Sequence, residues 1–95
     1  MAVYVDMLWP VPPGRRWKWN QACHMFADTP EDLHVMAEQI GLKRAWFQNQ
    51  PGHFPHYDLT EGVRTAAVRA GAVEVDRRTT YEHIKRAQAK EAEGG

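Results

Sequence analysis

The chain has 95 residues, and its 12 Lys and Arg balance 12 Asp and Glu, so the formal net charge is zero with the five histidines neutral. This balance excludes strong global attraction to nucleic acid or an anionic membrane, leaving only local patches for such a role. The length suits one domain around one modest core, for which pairing with a second copy would be a useful supplement. The single cysteine, Cys23, permits neither an intrachain disulfide nor a thiolate zinc pair. No basic-then-apolar secretory start occurs, and no run reaches the roughly 18 apolar residues of a membrane helix. A soluble, cytoplasmic protein is expected.

Val3-Tyr4-Val5 is a short β-favouring run ending at Asp6, as a buried first strand would. Residues 7–20 hold three prolines and no sustained period, so they read as a long aromatic-rich loop, with room for an extra strand between residues 8 and 27. Thr29-Pro30-Glu31-Asp32 opens a helix with a cap, a proline and two acids; Leu33, Met36, Ala37 and Ile40 form its apolar stripe, and Gly41 ends it. Ala45-Trp46-Phe47 is expected as a second strand. Asp58 with Glu61 predicts the cap of a second helix that packs Leu59, Val63, Ala66, Ala67 and Ala70 and stops at Gly71. Residues 72–75 predict a third strand, and Thr79 with Glu82 a capping box on a third helix that turns Tyr81, Ile84, Ala87 and Gln88 inward.

The expected fold is a small single α/β domain with a mainly parallel three-stranded sheet in β-α-β-α-β-α order. The domain spans 1–91 and a frayed tail spans 92–95. Helical crossovers require parallel pairing, and all strand exits then share one end, where ligands commonly sit. That geometry gathers the loops after Asp6, after Gln48 and after Asp76.

The chemistry-bearing residues fall in those loops. Asp6, at the end of a buried run, and Asp58 are the candidate ligands for a divalent metal ion, since a buried carboxylate needs a cation or donor; Arg15, Arg16 and Arg64 are candidate partners for Asp6. His24 and His56 are candidate catalytic groups, able to orient water or protonate a leaving oxygen near neutral pH. Each has a plainer reading: Asp6 as a strand terminator, Asp58 as a helix cap, His56 as a structural histidine. His53 sits in a turn, His34 reads as a boundary histidine paired with Asp32 or Glu38, and His24 with Asp28 has the i, i+4 spacing of one helical turn. Gly14-Arg15-Arg16-Trp17-Lys18-Trp19 alternates cations with indoles, which suits a phosphate and a stacked base; the plainer reading has an indole folded over a sheet edge. HExxH and the Walker phosphate loop are both absent from the sequence.

Val3-Tyr4-Val5-Asp6, Gly14-Arg15-Arg16-Trp17, His24 with Ala27-Asp28, Asp32-Leu33-His34, Ala45-Trp46-Phe47-Gln48, His56-Tyr57-Asp58 and Gly71-Ala72 together resemble a family of small bacterial and phage proteins catalogued as domain of unknown function 4031. The resemblance runs from Val3 to Arg78 and brings no established reaction with it. The family pattern has a second acidic residue where this chain has Met7, and often a serine where it has Cys23. The second departure would set a thiol beside His24, a candidate nucleophile with no sign of activation.

From the residues, the leading expectation is a metal-assisted phosphoester hydrolase acting on a nucleotide or nucleic-acid end. Arg15, Arg16, Trp17, Trp19 and Arg64 would bind the substrate. The alternative is a noncatalytic module that binds a nucleotide-like ligand or a protein through the same loops.

Overall fold

The structure, a computed structural model, describes residues 2–12, 19–49 and 54–94. Five strands, β1 (Val3–Val5), β2 (Trp9–Pro10), β3 (Gln21–Ala27), β4 (Tyr57–Leu59) and β5 (Val73–Glu74), form one mixed sheet with three helices, α1 (Pro30–Gln39), α2 (Glu61–Arg69) and α3 (Arg77–Gly94). β3 is the centre. It pairs antiparallel with β1 and β2 along one edge and with β4 along the other, while β5 lies parallel beyond β1.

The mainly parallel three-stranded sheet is therefore corrected to a mixed one. β1, β4 and β5 do run in a common direction, and α2 is the crossover that keeps β5 parallel. The expected loop, residues 7–20, contains β2, and β3 falls in the stretch up to residue 27 that left room for an extra strand; β3 reverses against all its neighbours. Nor is Ala45-Trp46-Phe47 a strand: Arg44–Trp46 is a 3-10 turn with Trp46 half exposed. A three-residue apolar run carries no period to tell the two apart.

The second same-direction strand is β4, inside the His/Asp segment. Tyr57 and Leu59 alternate with His56 and Asp58, so the two apolar side chains enter the core and the two polar ones emerge on the other face. Thr60, not Asp58, caps α2: its Oγ1 accepts the Val63 N–H at 3.3 Å. Ala67 is buried, whereas Ala66 and Ala70 are exposed, so the α2 stripe is narrower than its alanines suggest. At α3 the cap is Asp76, whose Oδ1 accepts the Thr79 N–H at 2.8 Å, and Thr80 goes inward while Tyr81 stays exposed. The forecast for α1 holds. Thr29 accepts the Asp32 N–H, Leu33, Met36 and Ala37 are buried, and Gly41 takes φ +82°. Gly71 closes α2 at φ +112°, a conformation side chains with a Cβ rarely adopt.

Val3, Val5, Cys23, Met25, Tyr57 and Leu59 cover one face of the sheet and meet Leu33, Met36 and Ala37 of α1 and Ala67 of α2. Each fully buried Val, Leu or Met in this layer contributes roughly 1.5–3 kcal/mol relative to exposure. The opposite face presents Tyr4, Asp6, His24, Phe26, His56 and Asp58, because residues directly opposite in paired strands share a face. The start of α3 lies against it through Thr80 and through His83, whose ring is 4.7 Å from that of Phe26. Among the described residues no helix is long and apolar enough to cross a membrane.

Candidate metal centre

Asp6, His24 and Asp58 lie in a row across three strands. His24 pairs with Asp58 in the β3–β4 ladder, and on its other side the Asp6 N–H donates to the His24 carbonyl at 3.1 Å. The row forms where the ladder is interrupted. Asp6, Met7 and Leu8 stand opposite only His24 and Cys23 between the Val5–Met25 and Trp9–Ala22 pairs, so the first arm carries one extra residue, a β-bulge. Met7 is the exposed product of that bulge.

The bulge changes who bonds to whom. The His24 N–H donates not to the Asp6 carbonyl but to the Asp6 carboxylate, Oδ1, at 2.7 Å. The carbonyl so released accepts from Arg64 Nε at 2.8 Å, and the same guanidinium pairs with Glu74 at 2.9 Å. Arg64 is thus taken up by the backbone of Asp6 and by β5 rather than by the Asp6 carboxylate. Asp6 Oδ2 accepts the imidazole N–H of His24 at 2.8 Å and faces the Thr80 hydroxyl at 3.4 Å. The buried carboxylate has the donors its burial demands.

With Nδ1–H of His24 donated to Asp6, Nε2 is the nitrogen left to act as a ligand or base. His56 is set the same way by another partner: Nδ1–H donates to the Phe54 carbonyl at 2.8 Å, and Nε2 lies 3.5 Å from Asp58 Oδ1. A neutral imidazole nitrogen and a carboxylate oxygen are both acceptors, so this approach calls for a proton or a cation between them. Asp58 Oδ2 accepts from the Gln48 side-chain amide, which a bridge between Gln48 and His56 brings alongside. The two imidazoles meet edge-on at 4.9 Å, with Trp9 4.4 Å from the His24 ring and Phe54 stacked 4.7 Å from His56.

One donor atom each from His24, His56 and Asp58 lies within 4.8 Å of the others. Donors about 2.0–2.2 Å from one tetrahedral ion stand roughly 3.3–3.6 Å apart, so holding it draws the widest of these separations in by up to about 1.5 Å. His56 is buried, while His24 and Asp58 are part-exposed, which leaves one side of the cluster accessible.

Of the residues singled out from the sequence, Asp6, His24, His56 and Asp58 come together, beside one another on a sheet face rather than at a common strand exit. His24 and Asp28 do not share a helical turn: His24 is in β3, and Asp28 accepts from the Tyr4 hydroxyl at 3.0 Å. His34 bonds to the Tyr57 hydroxyl at 2.9 Å instead of Asp32 or Glu38. Cys23 points away from its neighbour His24 into the core, where burial first and the Asp6 charge second push its thiol up to about 12. Trp19 is half exposed on the approach to β3. Arg15, Arg16, Trp17 and His53 lie outside the described residues.

Trp9 and Thr80 border the site without being singled out from the sequence, whereas Gln48 and Phe54 belong to the loop expected to reach it. Trp9 carries a signal of its own, an indole directly before Pro10. Thr80 arrives by tertiary packing.

No curated protein matches the chain, and no solved structure does. A family model described as Protein of unknown function (DUF4031) matches residues 3–88, and the chain belongs to that family.

Proposed function

We propose that this protein is a metal-assisted phosphoester hydrolase whose ion is held by His24 Nε2, His56 Nε2 and an oxygen of Asp58. The observation that carries the reading is that every donor has an orienting partner: Asp6 for His24, the Phe54 carbonyl for His56, Gln48 for Asp58. Such outer partners are typical of metal sites because they fix the tautomer and raise ligand basicity. Three protein donors leave coordination positions for a water and a substrate oxygen. A divalent ion there would lower the pKa of bound water and take up negative charge developing on phosphorus oxygens. This reading assigns Asp6 to His24 rather than to the ion, and makes His24 and His56 ligands rather than proton carriers. Arg15 and Arg16 are proposed to neutralise phosphate.

The test is titration of metal-free protein with Zn(II) and Mn(II), followed by phosphate release from a panel of nucleotides and oligonucleotides. His56→Ala and Asp58→Asn should each weaken metal binding by more than the about 10–100-fold that loss of an outer partner brings, and should abolish turnover. Metal uptake unchanged in both variants sinks the site. Two histidines and one carboxylate also serve iron(II) enzymes that activate dioxygen; turnover supported by redox-inert Zn(II) in the absence of oxygen separates hydrolysis from that chemistry. Metal and nucleotide binding without any turnover would instead favour a noncatalytic binding module.

A further inference from the structure

His24 has a second neighbourhood. A hollow of about 220 Å³ opens between the bulge and α3, with His24 and Asp6 in its wall and Trp9, Tyr81, Met7 and Ile84 around it. Its polar members beside the sheet are already engaged: the Asp6 carboxylate with His24 and Thr80, and the Thr80 hydroxyl also with the Asp76 carbonyl at 3.2 Å. What remains to meet a ligand is mainly apolar and aromatic. At about 220 Å³ it falls below the about 300–1,000 Å³ of pockets that enclose a drug-sized molecule, so it admits one ring system and leaves the rest of a ligand outside.

At the rim stands Arg77, exposed, with no ion-pair partner among the described residues. Its neighbour Arg78 pairs with Glu82, and Arg64 pairs with Glu74. A guanidinium not already neutralised, next to an aromatic-walled hollow, selects a ligand that joins a planar ring to an anion. We propose that the hollow is the base site of a nucleoside monophosphate unit. Its ring lies against Trp9 and Tyr81, and Arg77 contacts the phosphate, which reaches the ion across His24. The assignment rests on the metal-centre reading, and it puts base recognition on Trp9 and Tyr81 rather than on Trp17 and Trp19. A free mononucleotide and the terminal unit of an oligonucleotide share this chemistry.

The experiment is calorimetric titration of the full chain, with and without Zn(II), using adenosine 5′-monophosphate, ribose 5-phosphate and a dinucleotide. Tyr81→Ala is the main variant because that side chain is 59% exposed and its loss leaves the core intact. It should weaken adenosine monophosphate binding at least about fivefold and leave ribose 5-phosphate unchanged, since only the former stacks. Arg77→Gln should weaken both phosphates. Comparison of the mononucleotide with the dinucleotide tells free from terminal units. Equal affinity for the nucleotide and the sugar phosphate, or no effect of Tyr81→Ala, overturns the base site. Zn(II) uptake, followed in the same titrations, keeps the two ideas separate: normal uptake without base discrimination defeats the hollow alone. Absent uptake defeats the metal centre, and Tyr81-dependent nucleotide binding to the metal-free chain then still decides the hollow.

Discussion

Asp6 takes both N–H groups of His24, the backbone one on Oδ1 at 2.7 Å and the imidazole one on Oδ2 at 2.8 Å. One carboxylate thereby replaces a lost ladder bond and sets the orientation of the ring. The extra residue in the bulge is what frees it to do both.

Asp6→Asn should retain the fold, because the amide oxygen can still accept the backbone N–H. It should weaken metal binding by about 10–100-fold, because the ring loses its charged partner. Asp6→Ala also leaves a part-buried N–H unpaired and should cost about 1–3 kcal/mol in urea unfolding. Full metal affinity in folded Asp6→Asn would remove Asp6 from the site.

Arg64 is the hidden support of that arrangement, holding the carbonyl that the bulge released. Arg64→Met keeps the apolar stem and strips the donor, so about 1–3 kcal/mol of stability should be lost. Arg64→Lys should recover only part of it, since a single ammonium cannot reproduce the two-ended grip on Asp6 and Glu74. Complete recovery with Lys in equilibrium unfolding would show that charge alone suffices.

Burial, followed by the Arg44 charge, lowers the pKa of His34 below its ordinary 6.5, with Glu31 opposing. Between the folded value and 6.5 the unfolded chain therefore binds more protons than the folded one. Stability attributable to His34 is complete above 6.5 and declines as pH falls. Replacing it with Gln should reduce the loss of urea midpoint between about pH 7.5 and 5.5. Parallel pH profiles for wild type and His34→Gln would contradict this.

Cys23 should resist iodoacetamide in the native protein and label readily in denaturant, because the buried thiol is held far from its thiolate form. Native labelling at the unfolded rate would place it at an accessible position.

Asp6 and the His56-Tyr57-Asp58 segment were legible as chemistry because polar groups flank buried runs there. Their common location was legible only for the wrong reason. An all-parallel sheet would have gathered them at strand exits, but β3 enters between β1 and β4 and carries His24 to the middle of the row. Gln21–Ala27 was hidden because both its faces are covered, Cys23 and Met25 by the helices and Phe26 by aromatic neighbours, so it shows no simple alternation. Asp58 imitates a helix cap in sequence, and only burial of Leu59 in the sheet moves the helix start past it.

By itself the sequence determined the local signals: the strand at Val3–Val5, the capped helix after Thr29, the glycine stops at 41 and 71, the crossover ahead of β5, and the family. These depend on neighbours a few residues away, through backbone propensity and the period of apolar side chains. The tertiary structure decided the direction of β3, the bulge opposite His24, the bond from Arg64 to Asp6 across 58 residues, and the meeting of His24 with His56 and Asp58. Such contacts are fixed by which strands exclude water from one another, and no short-range pattern records that choice.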